Sequence, residues 1–292
     1  MIAKLNFMRR IAFTLLTCSI VVTLFFQCSD INGRRYERDE KRGKFVQVND
    51  IKMYYEIYGH GKPVVIIHGN EQSIANLRFQ ISYFSRRYQV IVADSRGHGQ
   101  SELGNGDLTY EQMADDWADL LNQLNVDSAN IIGWSDGGII GLLLAIHYPS
   151  SVGKVAAMGA NLQPDTSAVY SWAVNWVKEQ EQIADSIIAL NNATRNWHLR
   201  KQYLNLLGTQ PHIAVTDLHK ISSPVLILAS DKDIIREEHT ILMYQNIPQA
   251  HLCIFPGATH MIPVENPDLF NQTVFNFFNS PFHRPDTKNY FE

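Results

Sequence analysis

The sequence predicts an α/β protein: a mostly parallel central sheet flanked by helices, with a helical cap inserted late in the chain. Three observations predict it. Short apolar runs, such as the continuous Pro63-Val64-Val65-Ile66-Ile67 and the mostly apolar residues 129–134, recur along the chain and have the length of strands covered on both faces. Helical segments separate them, and strands alternating with helices imply parallel pairing through crossovers. At Gly133-Trp134-Ser135-Asp136-Gly137 a strand meets a helix with glycines on both sides, as a sharp strand-to-helix turn requires.

The elements follow in order. Residues 45–48 and 51–58 flank Asn49-Asp50 and predict an antiparallel hairpin. The strand over 63–67 ends in His68-Gly69-Asn70, and a second over 88–93 ends in Asp94-Ser95-Arg96-Gly97-His98-Gly99-Gln100-Ser101. A helix is expected over 110–124, a strand over 129–134, a helix over 138–147 and a strand over 152–158. The pattern then changes. Residues 169–190 and 196–207 read as helices carrying Trp172, Trp176, Trp197 and Tyr203, with no strand between them, so 161–213 is expected to form the cap. The sheet resumes at 224–229, followed by Ser230-Asp231-Lys232-Asp233. Residues 251–255 predict the last strand, 256–260 a loop and 266–278 the closing helix. The core is thus expected over 45–160 and 214–280, with 281–292 a loose tail.

The first 28 residues have another character. Lys4, Arg9 and Arg10 precede an uncharged, mostly apolar run over 11–26, the layout of a secretory signal. The run is short against the about 20 residues of a spanning helix, and a retained anchor is the alternative. Cys28 follows directly and suggests a bacterial lipoprotein signal, although Gln27 stands where such signals carry a small residue. Residues 29–44 include Arg-Arg-Tyr-Glu-Arg-Asp-Glu-Lys-Arg-Gly-Lys and read as a solvated tether. The expected location is the cell envelope, with membrane attachment through the N-terminus.

Bulk composition narrows the function classes. A 292-residue chain with 45% hydrophobic content suits one large domain with an insertion. A net charge of −4 offers no electrostatic case for nucleic acid. Three cysteines, Cys18, Cys28 and Cys253, rule out a disulfide framework, and no Cys/His cluster has metal-ligand spacing.

Four short matches now stand in order: His68-Gly69, the Asp94 to Ser101 block, the turn around Ser135, and the late Asp233 and His260. Together they resemble the α/β-hydrolase fold superfamily over residues 45–279, and Gly-Trp-Ser-Asp-Gly-Gly is similar to the elbow of valacyclovir hydrolase-like enzymes. The resemblance implies that Ser135 is the nucleophile, exposed above the sheet by the elbow. A serine hydroxyl needs a general base, and the family's order of Ser, acid, His selects His260 over the earlier His68 and His98. The acid is Asp233 or Asp231. The family's G-x-x-D pattern, with Ser230 in the glycine place, selects Asp233, leaving Asp231 to order the loop and Glu265 a distant third. The oxyanion hole is expected from the N–H of Asp136 and the N–H of Asn70. His-Gly-Asn also resembles haloalkane dehalogenases, but those use an aspartate nucleophile and this chain has Ser135. The Asp94 to Ser101 block is expected to be structural, with Arg96 pairing to carboxylates or carbonyls. The side chains of Asp136 and Glu71 would place negative charge near the pocket and favour a cationic substrate.

The implied activity is a serine hydrolase of a small ester, thioester, lactone or amide, with an acyl-enzyme intermediate and no metal or organic cofactor. Two alternatives stand beside it: a non-catalytic member of the fold that binds a ligand or partner, and a cofactor-free haloperoxidase or C–C bond hydrolase using the same residues.

Overall fold

The computed structural model describes residues 42–190 and 196–291. The expected signal sequence, lipidation at Cys28 and most of the charged tether lie outside the described residues. Among the described residues, no helix is long and apolar enough to cross a membrane.

The strands are β1 (Lys44–Val48), β2 (Ile51–Tyr58), β3 (Pro63–Ile67), β4 (Gln89–Ala93), β5 (Ala129–Trp134), β6 (Val152–Met158), β7 (Val225–Lys232) and β8 (Ala250–Thr259). They form one eight-stranded sheet in the order β1-β2-β4-β3-β5-β6-β7-β8. The β1-β2 and β2-β4 pairs are antiparallel and every other pair is parallel. The helices are α1 (Arg78–Phe84), α2 (Tyr110–Gln123), α3 (Asp136–His147), α4 (Ser171–Ala189), α5 (Trp197–Thr209), α6 (Glu237–Asn246), α7 (Ile262–Glu265) and α8 (Pro267–Asn279).

The uninterrupted apolar runs become the central strands because both faces are covered: Val64, Val65, Ile66 and Ile67 of β3 are essentially inaccessible. Helix α2 is amphipathic in the ordinary sense. It buries Tyr110, Met113, Ala114, Trp117, Leu120 and Leu121 on one stripe, and the Thr109 side chain caps it by accepting from the Gln112 N–H. Helix α3 differs, since every residue from Asp136 to Ile146 is buried. A helix that is apolar all round belongs in the middle of the molecule, and this one packs against α2, β3, β5 and β6.

Several boundaries differ from the sequence-based expectation. Helix α3 begins at Asp136, directly after Ser135, two residues earlier than the apolar pattern indicates. The 256–260 segment is mostly strand: β8 runs to Thr259, with Lys232 of β7 paired to Thr259. Helices α1 and α6 escape the reading. Helix α6 buries only His239, Thr240 and Met243 and leaves Ile241 and Leu242 partly exposed, so its apolar pattern carries no clear stripe. Between β6 and β7 lie α4 and α5, with Asn196 capping α5 through the Leu199 N–H. The 281–292 segment makes contacts with the body: the Phe282 ring stacks on His251 with centroids 4.8 Å apart.

Candidate active site

The site is built at the C-terminal ends of β3, β5, β6, β7 and β8. Ser135 sits between β5 and α3 with φ 57° and ψ −117°, a left-handed conformation uncommon for a side chain larger than glycine. Neighbouring glycines make it feasible. A Cβ on Gly133 would lie 2.1 Å from the Gly137 carbonyl oxygen, and one on Gly137 would lie 2.1 Å from the Ile67 carbonyl oxygen. The strained residue is held in place by its backbone. Its N–H donates to the Met158 carbonyl at 2.8 Å, and its carbonyl accepts from Gly138 at 2.8 Å and Ile139 at 3.2 Å. Gly69 comes close on the other side, since a Cβ there would lie 3.1 Å from Cβ of Ser135.

Asp233 and His260 meet because of sheet register. Each follows one residue of the Lys232–Thr259 pair, so the two side chains leave neighbouring strand ends together. His260 Nδ1 donates to Asp233 Oδ1 at 2.6 Å. The same oxygen accepts from the Ile234 N–H at 2.7 Å and the Ile235 N–H at 3.3 Å, and Oδ2 accepts from Ser230 N–H at 3.3 Å. Burial alone would raise the Asp233 pKa. The His260 hydrogen bond and charge, with the backbone donors, outweigh it and hold the carboxyl below its usual range. With its proton on Nδ1, the neutral imidazole has an unprotonated Nε2, the nitrogen a general base uses. The Asp233 side chain is 1% exposed and that of His260 15%.

The rivals have other partners. Asp231 Oδ2 accepts from the Gly257 N–H at 2.8 Å, and Glu265 accepts from the Thr259 hydroxyl at 2.8 Å. Ser230, in the place of the family's glycine, donates its hydroxyl to the Thr259 carbonyl at 2.7 Å and ties β7 to β8. His68 Nε2 accepts from the Ser95 N–H at 3.0 Å, so its proton is on Nδ1, which donates to the Gly69 carbonyl at 2.8 Å. Burial lowers its pKa to about 4. Burial, with the nearby His68, lowers that of His98 to about 3. Arg96 forms two 2.7 Å contacts with Asp116 and one with Asp50, the structural part expected of it.

The two residues expected to supply the oxyanion donors are joined through their side chains. Asn70 Nδ2 donates to Asp136 Oδ2 at 2.9 Å and, at 3.4 Å, to the carbonyl of Tyr203 on α5. The Tyr110 hydroxyl donates to Asp136 Oδ1 at 3.0 Å. Burial pushes the Asp136 carboxyl up to about 6, against the hydrogen bonds from Asn70 and Tyr110 and the charge of His260. Glu71 does not stand as a free charge, because Arg200 of α5 lies 3.4 Å from it. The aromatic residues of the cap divide: Trp172 and Trp176 are about half exposed, Trp197 is buried, and the Tyr203 ring lies 4.4 Å from that of His98.

Sequence reasoning missed Tyr110, Trp134 and Gly159. Trp134 Nε1 donates to the His260 carbonyl at 2.9 Å, tying the base loop to the residue before Ser135. Gly159 has φ +61°, and a Cβ there would lie 2.6 Å from Cε1 of His260. A lone glycine directly after a predicted strand was the one signal available for it. Among the described residues, no group of three or more His, Cys, Asp or Glu is placed to hold a metal ion. A concavity of about 610 Å³, lined by Leu226, Tyr244, His251 and Phe282 among others, includes none of these site residues.

A family model described as the alpha/beta hydrolase fold matches residues 62–214. The human protein "Serine hydrolase BPHL" is 24% identical over 246 residues, which cover 80% of this chain and 84% of that protein. The 3-oxoadipate enol-lactonase 2 of Acinetobacter baylyi is 25% identical over 252 residues, 77% of this chain and 92% of the relative. Among solved structures, the enol-lactonase from Burkholderia xenovorans LB400 superposes with a TM-score of 0.68 at 20% identity, covering 81% of this chain and 100% of its own.

Proposed function

The chain belongs to the α/β hydrolase fold family and is a hydrolase of that fold; from that premise we propose that it is a serine hydrolase of small carboxylic esters, thioesters, lactones or amides. The observation that carries the reading is the Asp233–His260 pair at 2.6 Å; a strained Ser135 at the end of β5, in the same sheet, supports it. Ser135 Oγ attacks the substrate carbonyl carbon while His260 Nε2 accepts its proton. Asp233 holds the tautomer and stabilises the imidazolium. The tetrahedral oxyanion accepts hydrogen bonds from the N–H of Asp136, at the first position of α3 where no intrahelical acceptor exists, and from the N–H of Asn70. His260 returns the proton to the leaving group, and water deprotonated by His260 then releases the acyl group as the acid.

Ser135→Ala tests the assignment. It should lower kcat on an ester the wild type cleaves by about 10⁴-fold or more and leave the Tm within a few degrees. A wild-type rate in that variant, or failure of a fluorophosphonate probe to label Ser135 in folded wild type, returns the chain to the non-catalytic reading. Of the relatives, one is named for an enol-lactone and another only as a serine hydrolase. A panel of chromogenic esters and lactones of graded size therefore comes first. The basic and apolar N-terminal layout supports a second proposal, export to the cell envelope with membrane attachment through the N-terminus. Mass spectrometry of the mature N-terminus, combined with membrane fractionation, tests it, and an intact, unmodified Met1 on protein outside the membrane fraction ends it.

A further inference from the structure

The side chain of Asp136 has no part in the chemistry just described, yet it is buried and both its oxygens are taken. Burying a carboxylate is costly unless strong donors meet it. Here the donors come from two distant segments. Asn70 lies on the loop after β3, and Tyr110 opens α2. Asn70 and Asp136 are also the two residues whose backbone N–H groups the proposed oxyanion hole uses. Loops after strands are mobile by default, and an oxyanion hole works only if both donors keep their spacing.

We infer that Asp136 is a positioning residue: its carboxylate, held by the Tyr110 hydroxyl, clamps the Asn70 loop to the start of α3 and so sets the distance between the two oxyanion donors. The inference rests on the serine-hydrolase reading. Tyr110 acts only through Asp136, and it is buried, so the path runs from the base of α2 to the oxyanion loop through one carboxylate. The second Asn70 contact, to the Tyr203 carbonyl, extends the clamp to the cap helix α5. Charge supports the geometry. A bare carboxylate beside a developing oxyanion would oppose it, and two hydrogen bonds drain that charge. Burial pushes the carboxyl up to about 6, against the two hydrogen bonds, and its ionised form accepts on both oxygens.

Tyr110→Phe, Asp136→Ala and the double variant test this in the full chain, with a chromogenic ester and with phenylboronic acid, which forms a tetrahedral adduct on a nucleophilic serine. Tyr110→Phe should lower kcat by about 10-fold and Asp136→Ala by about 100-fold, in line with loss of part or all of one oxyanion donor. KM should stay within about twofold, while boronate affinity falls in step with kcat. The double variant should match Asp136→Ala alone, because the tyrosine has no other route to the site. A double variant that loses the product of the two single effects overturns the inference, as does Tyr110→Phe with wild-type kcat. Should Asp136→Ala fail to fold, Asp136→Asn replaces it, and unchanged boronate affinity in Tyr110→Phe is then the overturning result. Wild-type protein with no Ser135-dependent turnover and no boronate inhibition would instead remove the serine-hydrolase reading itself.

Discussion

Replacing Gly159 with alanine puts a methyl group into the space of the His260 imidazole. The new Cβ would lie 2.6 Å from Cε1, 2.8 Å from Nδ1 and 3.7 Å from Oδ2 of Asp233. Carbon atoms in contact prefer about 3.5–4.0 Å, so the ring must retreat by about 1 Å. Nδ1 sits 2.6 Å from Asp233, and the same retreat takes that bond past the usual limit of about 3.2 Å. The ring has room to yield because the His260 side chain is partly exposed. The chain therefore folds, and the cost falls on function. Alanine at φ +61° costs about 1–2 kcal/mol, and a large domain loses about 2–4 °C of Tm per kcal/mol. Misplacing a general base by about 1 Å lowers the rate by about 100-fold. The expected result is a Tm lower by several degrees, measured by calorimetry, and kcat on a chromogenic ester lower by about two orders of magnitude. A variant with the expected Tm and wild-type kcat would show that the base does not work from where His260 lies.

Gly137→Ala makes a different prediction, because its Cβ would meet backbone: the carbonyl oxygen of Ile67 at 2.1 Å and that of His68 at 2.9 Å. Neither can swing aside, so little soluble protein or a Tm loss of at least about 10 °C is expected, and an unchanged Tm would refute the steric account of the elbow. His239 is buried with Nε2 accepting from the Leu162 N–H at 2.9 Å, and burial lowers its pKa from 6.5 to about 4 against the charge of Asp165. The unfolded chain therefore binds more protons between those values, and this residue should remove roughly 1 kcal/mol of stability per pH unit as pH falls from 6.5 to 4. His239→Gln should flatten the dependence of Tm on pH over that window; an identical slope would end the assignment. Finally, Glu71 is paired with Arg200 and both Asp136 oxygens are engaged. Amino-acid esters and their N-acetyl forms should therefore differ by less than about tenfold in kcat/KM, contrary to the cationic preference expected from sequence, and a larger preference for the free amine would show that Asp136 serves the substrate instead.

The strands were legible wherever both faces are buried. Residues 63–67 of β3 match their apolar run residue for residue, because burial on two sides leaves no polar position to blur the pattern, and β6 keeps its expected bounds of 152–158 with Lys154 half-buried near its start. Helix α2 was legible through its stripe and its Thr109 cap. Helix α1 is short and α6 leaves part of its apolar surface exposed, so periodicity has too little to report in either. The choice of Asp233 over Asp231 came from family spacing; in the fold Asp233 meets His260 and Asp231 the Gly257 amide, contacts that spacing along the chain does not show.

What the sequence by itself determined is local: where chain segments must be extended or helical, and why Gly133 must precede Ser135 at a sharp turn. Those properties depend on a residue's own backbone and on the periodicity of its own element. Only the tertiary structure decided which side chains meet. The β7–β8 register brings Asp233 to His260, 27 residues on. The packing of α2 against α3 brings Tyr110 to Asp136, and the turn of β5 brings the Trp134 indole under the His260 carbonyl, 126 residues away. Such contacts leave no period in the chain, because they join elements whose separation is set by the sheet order and the packed core. The carboxylate of Asp136 shows the difference most plainly. In the sequence it is an acid beside a nucleophile, read as charge for a substrate; in the folded protein its two oxygens are bound from both sides.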